Sequence, residues 1–308
     1  MPEVARKLRI TSSADIASLV PMLFEYQPYD SVVVLAVDGG RVGKCMRADV
    51  QPPQDIWAAV GEYFPINPDS VTSILVVIYD PRPSYAADIL EGLRVGYDVK
   101  DAIRVHDGRW FPVLCTDPIC CPTQGGLVEA VSPEMTVALG LEPTASSREE
   151  LRDRYAACDP VTLDSLVSLY PEPVADGVQR FAQIRALLDD GTDVPDSSVG
   201  RMLVNLTDVH IRDGLIASAM ATKTERVFEE VFAYLARRAP AGFVAPPATA
   251  AGVLAWQSGS GTRARIAAET ALSDDETYTL ARLLEQILDC GMDPSVGREP
   301  LTELIAGD

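Results

Sequence analysis

The sequence predicts an α+β fold: an N-terminal mixed β-sheet domain with covering helices, followed by an all-helical C-terminal domain. Three observations carry this. The runs Ser31–Val37 (SVVVLAV) and Thr72–Tyr79 (TSILVVIY) are continuous and rich in β-branched residues, as strands buried on both faces are. Segments with a helical apolar stripe alternate with them. After about Ser132 strand-like runs cease and helical spacing holds to the C-terminus. The expected domains are therefore residues 1–131 and 132–308.

Lys7–Ile10 reads as a short strand, and Ser12 or Ser13 with Asp15 caps a first helix with Ile16, Leu19, Val20 and Leu23 inward. Asp38-Gly39-Gly40 ends the first apolar run in a hairpin turn, and Val42–Val50 returns as its partner. By the two-residue period of a strand, Arg47 and Asp49 share one side and Met46 and Ala48 the other. Pro52–Tyr63 is a helix with Ile56, Ala59, Val60 and Tyr63 inward, and Tyr85–Val95 a second with Ile89, Leu90 and Leu93 inward. Val99–Val105 and Trp110–Cys115 complete the sheet around the turn His106-Asp107-Gly108. The order is ββαβαββ.

In the second part, Ser146 with Glu149 opens a helix through Ala157, and Pro160 begins another through Leu169. Helices follow at Ala175–Leu188, Val199–Thr207, Val209–Ala221 and Thr224–Arg238. The last puts Val227, Phe228, Val231, Phe232 and Leu235 on one face, with Glu225, Glu229 and Glu230 early and Arg237 and Arg238 late, as the helix dipole prefers. Leu254-Ala255-Trp256, Gly259, Ala264, Ala268, Ala271-Leu272 and Asp275 follow the spacing of a tetratricopeptide-like helix pair over residues 247–272, closed by a helix over 277–290. One such unit does not make a superhelical array.

The chain is 47% hydrophobic and 23% charged, which fits a folded globular protein and excludes disordered and fibrous classes. A formal charge of −19 argues against a wide grip on nucleic acid. No signal-like apolar core follows the basic N-terminal residues, and the longest apolar run, Ile74–Tyr79, is too short to span a bilayer. The expectation is a cytoplasmic protein with no membrane partner. Six cysteines are too sparse for a disulfide scaffold.

Rare residue types concentrate between Arg104 and Gly126, where Cys115, Cys120 and Cys121 stand near His106. Three readings stay open for these cysteines: zinc, a disulfide or redox couple, and packing of small thiols. A nucleophilic cysteine needs a base, and His106 alone does not make that site. Asp30, Arg47, Asp49, His106, Arg109 and Trp110 are the candidate ligand-binding residues, and partly buried Arg–Asp pairs of this kind also fix the docking of elements. Trp256, Arg263 and Arg265 are the candidate interaction surface. The run Ser258-Gly259-Ser260-Gly261-Thr262 lacks the lysine of a phosphate loop, and no GxGxxG occurs. Asn205-Leu206-Thr207 matches a glycosylation acceptor but comes without a secretion signal.

Four blocks in order carry a resemblance: Leu19–Val37 followed by MRADV, Asp107–Gly126 (DGRWFPVLCTDPICCPTQGG), Val209–Ala217 and Val253–Leu272. Through them the chain resembles the actinobacterial and mycobacteriophage domain of unknown function 4192 family over nearly its whole length. The resemblance implies an architecture and a cytoplasmic actinobacterial or phage origin; it supplies no mechanism. One departure is that such proteins carry Gly-Asp-Gly where this chain has Gly259-Ser260-Gly261.

The first functional expectation is a non-enzymatic protein-interaction or assembly protein, with no catalytic residues and no cofactor, that binds itself as a homo-oligomer or a host or phage protein. Its rival is an enzyme or small-ligand sensor with an interdomain cleft near the strand ends, using Asp30, Arg47, Asp49, His106 and the cysteine loop.

Overall fold

The computed structural model describes residues 10–66, 72–115, 117, 121–129, 131, 144–163, 166 and 169–296. The chain forms an α+β fold of two compact units, Met1–Arg148 and Glu149–Asp308. The sequence places the change earlier, at residue 132, and residues 132–143 lie outside the described ones. Among the described residues no helix is long and apolar enough to cross a membrane.

The first unit opens with α1 (Ser13–Phe24). Ser12 caps it, accepting from the Asp15 amide while Asp15 accepts from the Ser12 amide. Of the apolar face expected for α1, Leu23 is exposed, and Met22 and Phe24 are buried instead. β1 (Ser31–Asp38) and β2 (Arg41–Asp49) form the hairpin turned at Gly39 and Gly40, both with positive φ. Then come α2 (Pro53–Tyr63), β3 (Ser73–Tyr79), α3 (Pro83–Leu93), β4 (Asp98–His106), β5 (Arg109–Pro112) and β6 (Gly126–Leu127).

Among the described residues these strands make one mixed sheet, ordered β2-β1-β3-β4-β5-β6, with β3 and β4 parallel and the other pairs antiparallel. Helices α2 and α3 cover the face carrying Val32, Val34, Ile74, Val76, Ile78 and Ala102, and this is the main core of the unit. The short β6 is an addition to the expected order, and β5 stops at Pro112 rather than Cys115. The Lys7–Ile10 strand falls outside the described residues except for Ile10, which belongs to no element. Strand β2 lies at the sheet edge, where a register shift opposite Leu35–Val37 and the basic Arg41, Lys44 and Arg47 discourage pairing with another sheet.

The second unit comprises α4 (Arg148–Arg152), α5 (Val174–Asp189), α6 (Asp196–Asn205), α7 (Val209–Thr222), α8 (Glu225–Arg238), α9 (Ala245–Gln257), α10 (Gly261–Asp274) and α11 (Thr279–Asp289). The first of these is shorter than the helix expected through Ala157. The helix expected over 160–169 falls partly outside the described residues, and those described there form no α-helix. Helix α9 is buried over all of its length, as its apolar composition on every side requires. Helices α7, α8, α10 and α11 surround it. Asp274 holds the start of α9 by accepting the amides of Gly242, Val244 and Ala245.

Glu172 ties the segment before α5 to α6. Its carboxylate takes two bonds from Arg180, at 2.7 and 2.6 Å, and one from the Asn205 amide, while the Asn205 carbonyl accepts the Glu172 N–H. Asn205 is thereby fully buried and spent, so its glycosylation motif is closed off. The Arg180 hydrogen bonds hold the Glu172 carboxyl down at about 2. A depressed carboxyl contributes stability above its unfolded value of 4.5 and loses it as pH falls through about 2. Glu172→Gln is therefore expected to lower the urea midpoint of the helical unit at pH 7 and to flatten its decline between pH 4.5 and 2, checked by urea titrations across that range.

Candidate functional site

The strand registers build a row across one end of the sheet. Asp49 stands opposite Ser31, Ser31 opposite Tyr79, Tyr79 beside Val105, and Val105 opposite Trp110. Because side chains alternate along a strand, the face of this row is the one opposite α2 and α3, and Arg47 lies on it one step back from Asp49. Ser31 is completely buried and Tyr79 nearly so. Among the described residues the Ser31 Oγ and the Tyr79 hydroxyl have no hydrogen-bond partner, and neither has the buried Nε of Arg47. Each such group costs about 1–3 kcal/mol when left unpaired. Burial, with the neighbouring Tyr26 adding to it, pushes the Tyr79 phenol up, so it stays a neutral O–H group.

The other groups at this end are engaged. Nη2 of Arg47 is 2.6 Å from Asp49 Oδ1 and reaches the Tyr29 carbonyl at 3.4 Å, while the Asp49 carboxylate is largely open to solvent. Asp30 is exposed, has positive φ, and accepts the Val50 N–H through its carbonyl. The structure thus brings Asp30, Arg47 and Asp49 together where β1 begins. His106 and Arg109 lie at the same end, but β4 is three strands from β2, roughly 14 Å at ordinary strand spacing. His106 is half-buried, with Nε2 3.2 Å from Asp107, and Arg109 donates to the Gly125 carbonyl at 3.1 Å.

Two residues here were not singled out from the sequence. Asp80, just past β3, is buried and accepts the Arg82 amide, Nε and Nη2 at 2.7, 2.8 and 2.5 Å. Those bonds, with the charge of Arg104 also contributing, lower its carboxyl from the usual range. Arg104 is buried on β4, its guanidinium 4.2 Å from the Phe111 ring centre and its Nη1 shared between the carbonyls of Asp80 and Pro81. The available signals were an acid-proline step closing an apolar run and an arginine set among Ile103 and Val105.

The tryptophan–cysteine block has a packing logic. Trp110 is buried against Gly126, where a Cβ would meet the indole, and Gly125, with φ +73°, lies against Phe111. Cys115 is half-buried and Cys121 buried, its N–H bound to the Asp117 carbonyl; Cys120 lies outside the described residues. Among the described residues no three His, Cys, Asp or Glu side chains stand together as metal ligands. Burial pushes the Cys45 thiol on β2 up to about 12, so it is protonated at neutral pH.

Two of the three residues expected on an interaction surface face inward. Trp256 is buried and donates its Nε1–H to the Met292 carbonyl, and Arg263 is buried with Nη1 at 2.8 and 2.7 Å from the two oxygens of Glu229. The reason is that α9 is enclosed on all sides and α10 packs along it. Arg265 is half-buried and pairs with Asp289 and Glu285. Ser260 caps α10, accepting the Arg263 amide and Nε, so the residue at the departure from Gly-Asp-Gly does what aspartate also does at an N-cap.

The family described as Domain of unknown function (DUF4192) matches residues 14–295. No curated protein and no solved structure matches the chain.

Proposed function

This chain belongs to the family of the domain of unknown function DUF4192, and from that premise we propose that it binds a small polar molecule at the end of its N-terminal sheet, where β1 begins and β3 ends. The observation that carries the reading is the pair of buried hydroxyls on adjacent register positions, Ser31 Oγ and Tyr79 OH, both without a partner among the described residues, with the Arg47 Nε–H on the same face. Buried polar groups are ordinarily paired, and a set left open in neighbouring register positions is what a ligand with hydroxyl or carbonyl oxygens completes. Arg47 and Asp49 already neutralise each other, which favours a neutral occupant. The first expectation, an interaction surface carried by Trp256, Arg263 and Arg265, is weakened because Trp256 and Arg263 are buried.

The test is a thermal-shift panel of neutral monosaccharides, polyols and nucleosides on the parent and on Ser31→Ala/Tyr79→Phe. The double variant removes two unpaired groups, so without ligand its melting temperature is expected to equal or exceed that of the parent. The parent's rise with its best compound is expected to vanish in the variant. A rise of equal size in both proteins, or none in either, defeats the reading.

A further inference from the structure

We propose a second binding site, at the end of the helical unit where α8 starts, α9 ends and α10 starts, that takes a neutral amide group through the side chain of Gln257. This end of the helical unit shares no residue with the sheet-end site. Short connections, 239–244 and 258–260, make α8, α9 and α10 antiparallel neighbours, so these three ends lie together. The Arg263–Glu229 pair, joining the first turn of α10 to the second turn of α8, bears this out. Of the eleven buried polar or charged residues among those described, five belong to this one end: Glu225, Glu229, Gln257, Ser260 and Arg263.

Within that group Gln257 stands apart. It is 6% exposed, and both Nε2 and Oε1 are buried without a hydrogen-bond partner among the described residues. The other polar residue of α9, Thr249, is satisfied by the Ala245 carbonyl. The other fully buried amide of the unit, Asn205, uses both its carbonyl and its NH2 on Glu172. Buried amides are ordinarily paired, and an open one calls for a partner beyond the groups of the chain itself. An amide edge is the matching chemistry, because its oxygen accepts from Nε2 while its N–H donates to Oε1. The Arg263–Glu229 pair at this end is neutral as it stands, so a charged occupant would bring an uncompensated charge into a buried setting. A carboxamide or a peptide group fits; a carboxylate or an ammonium does not.

The experiment follows the Gln257 side-chain NH2 pair by nitrogen–proton correlation NMR on the full chain, assigned by its disappearance in Gln257→Met. Acetamide and N-acetylglycinamide are titrated, with acetate and methylammonium as charged controls. The expected result is a saturable shift of the Gln257 pair with both amides and none with the controls. Gln257→Met is expected to unfold at the same urea concentration as the parent or a higher one, which separates a binding role from a structural one. A pair that no amide moves, a response to the charged probes equal to that of the amides, or a marked loss of stability in Gln257→Met overturns the proposal. So does a crystal structure in which one internal water bridges Nε2 and Oε1 and stays in place in the presence of the amides.

Discussion

Replacing Arg263 with methionine is expected to destabilise the helical unit by about 3–5 kcal/mol, because it leaves the Glu229 carboxylate buried without the cation that offsets it. Both side chains are almost wholly withdrawn from water, and Nη1 of Arg263 binds both carboxylate oxygens. Methionine keeps the length of the side chain and its helix propensity, so the loss reports the charge and its hydrogen bonds rather than a cavity. The double variant Arg263→Met/Glu229→Leu is expected to recover most of the loss, since a buried pair exchanged for apolar groups is often neutral in stability. Arg265→Met is the control, because Arg265 pairs with the exposed Asp289, an arrangement worth about 0–1 kcal/mol. Urea denaturation followed by circular dichroism measures all three. An Arg263→Met variant no less stable than Arg265→Met would show that Glu229 finds its compensation elsewhere.

Gly252→Val is expected to cost about 3 kcal/mol or more, at the upper end of overpacking effects. A Cβ at this position in α9 would lie 2.8 Å from Leu284 Cδ2, 3.1 Å from the Ala267 Cβ and 3.3 Å from the Ala264 carbonyl oxygen. The leucine methyl can turn aside; the Ala267 Cβ and the carbonyl are fixed to the backbone of α10, so two helices must separate. Gly252→Ala sets the same crowding against the roughly 1 kcal/mol by which alanine favours a helix over glycine, and it should fall between the parent and valine. Thermal denaturation of the three proteins gives the order, and a valine variant that melts with the parent would mean that α9 and α10 are less closely apposed.

Much of the fold could be read from residue order because the local signals agree with one another. The SVVVLAV run, its Asp-Gly-Gly turn and the TSILVVIY run are strands in both accounts, and Ser12 with Asp15 sets the start of α1. The sequence could not tell which acids leave water. Glu225 and Glu229 sit in the first turns of α8, where the dipole alone accounts for them, yet both are buried, since Arg263 reaches Glu229 from a helix 34 positions on. For the same reason Trp256 and Arg263, which suit a surface by composition, are interior. At the sheet end, the two-residue period placed Arg47 and Asp49 on one side, but the unpaired state of Ser31 and Tyr79 depends on pairing between β1 and β3, about 45 residues apart in sequence, and no local pattern encodes it.

The complete enclosure of α9 also governs how the helical unit comes apart. With α7, α8, α10 and α11 all resting on it, α9 has no side to offer to solvent and no stable existence until those neighbours have closed. Its amide protons then exchange with solvent only through the largest opening of the unit, at its global unfolding free energy, while α4 and the start of α5 at the periphery exchange through smaller fluctuations. Trp256, the one tryptophan between residues 149 and 308, stands on that last-opening helix. Its fluorescence therefore follows loss of the whole helical unit rather than fraying at its margins.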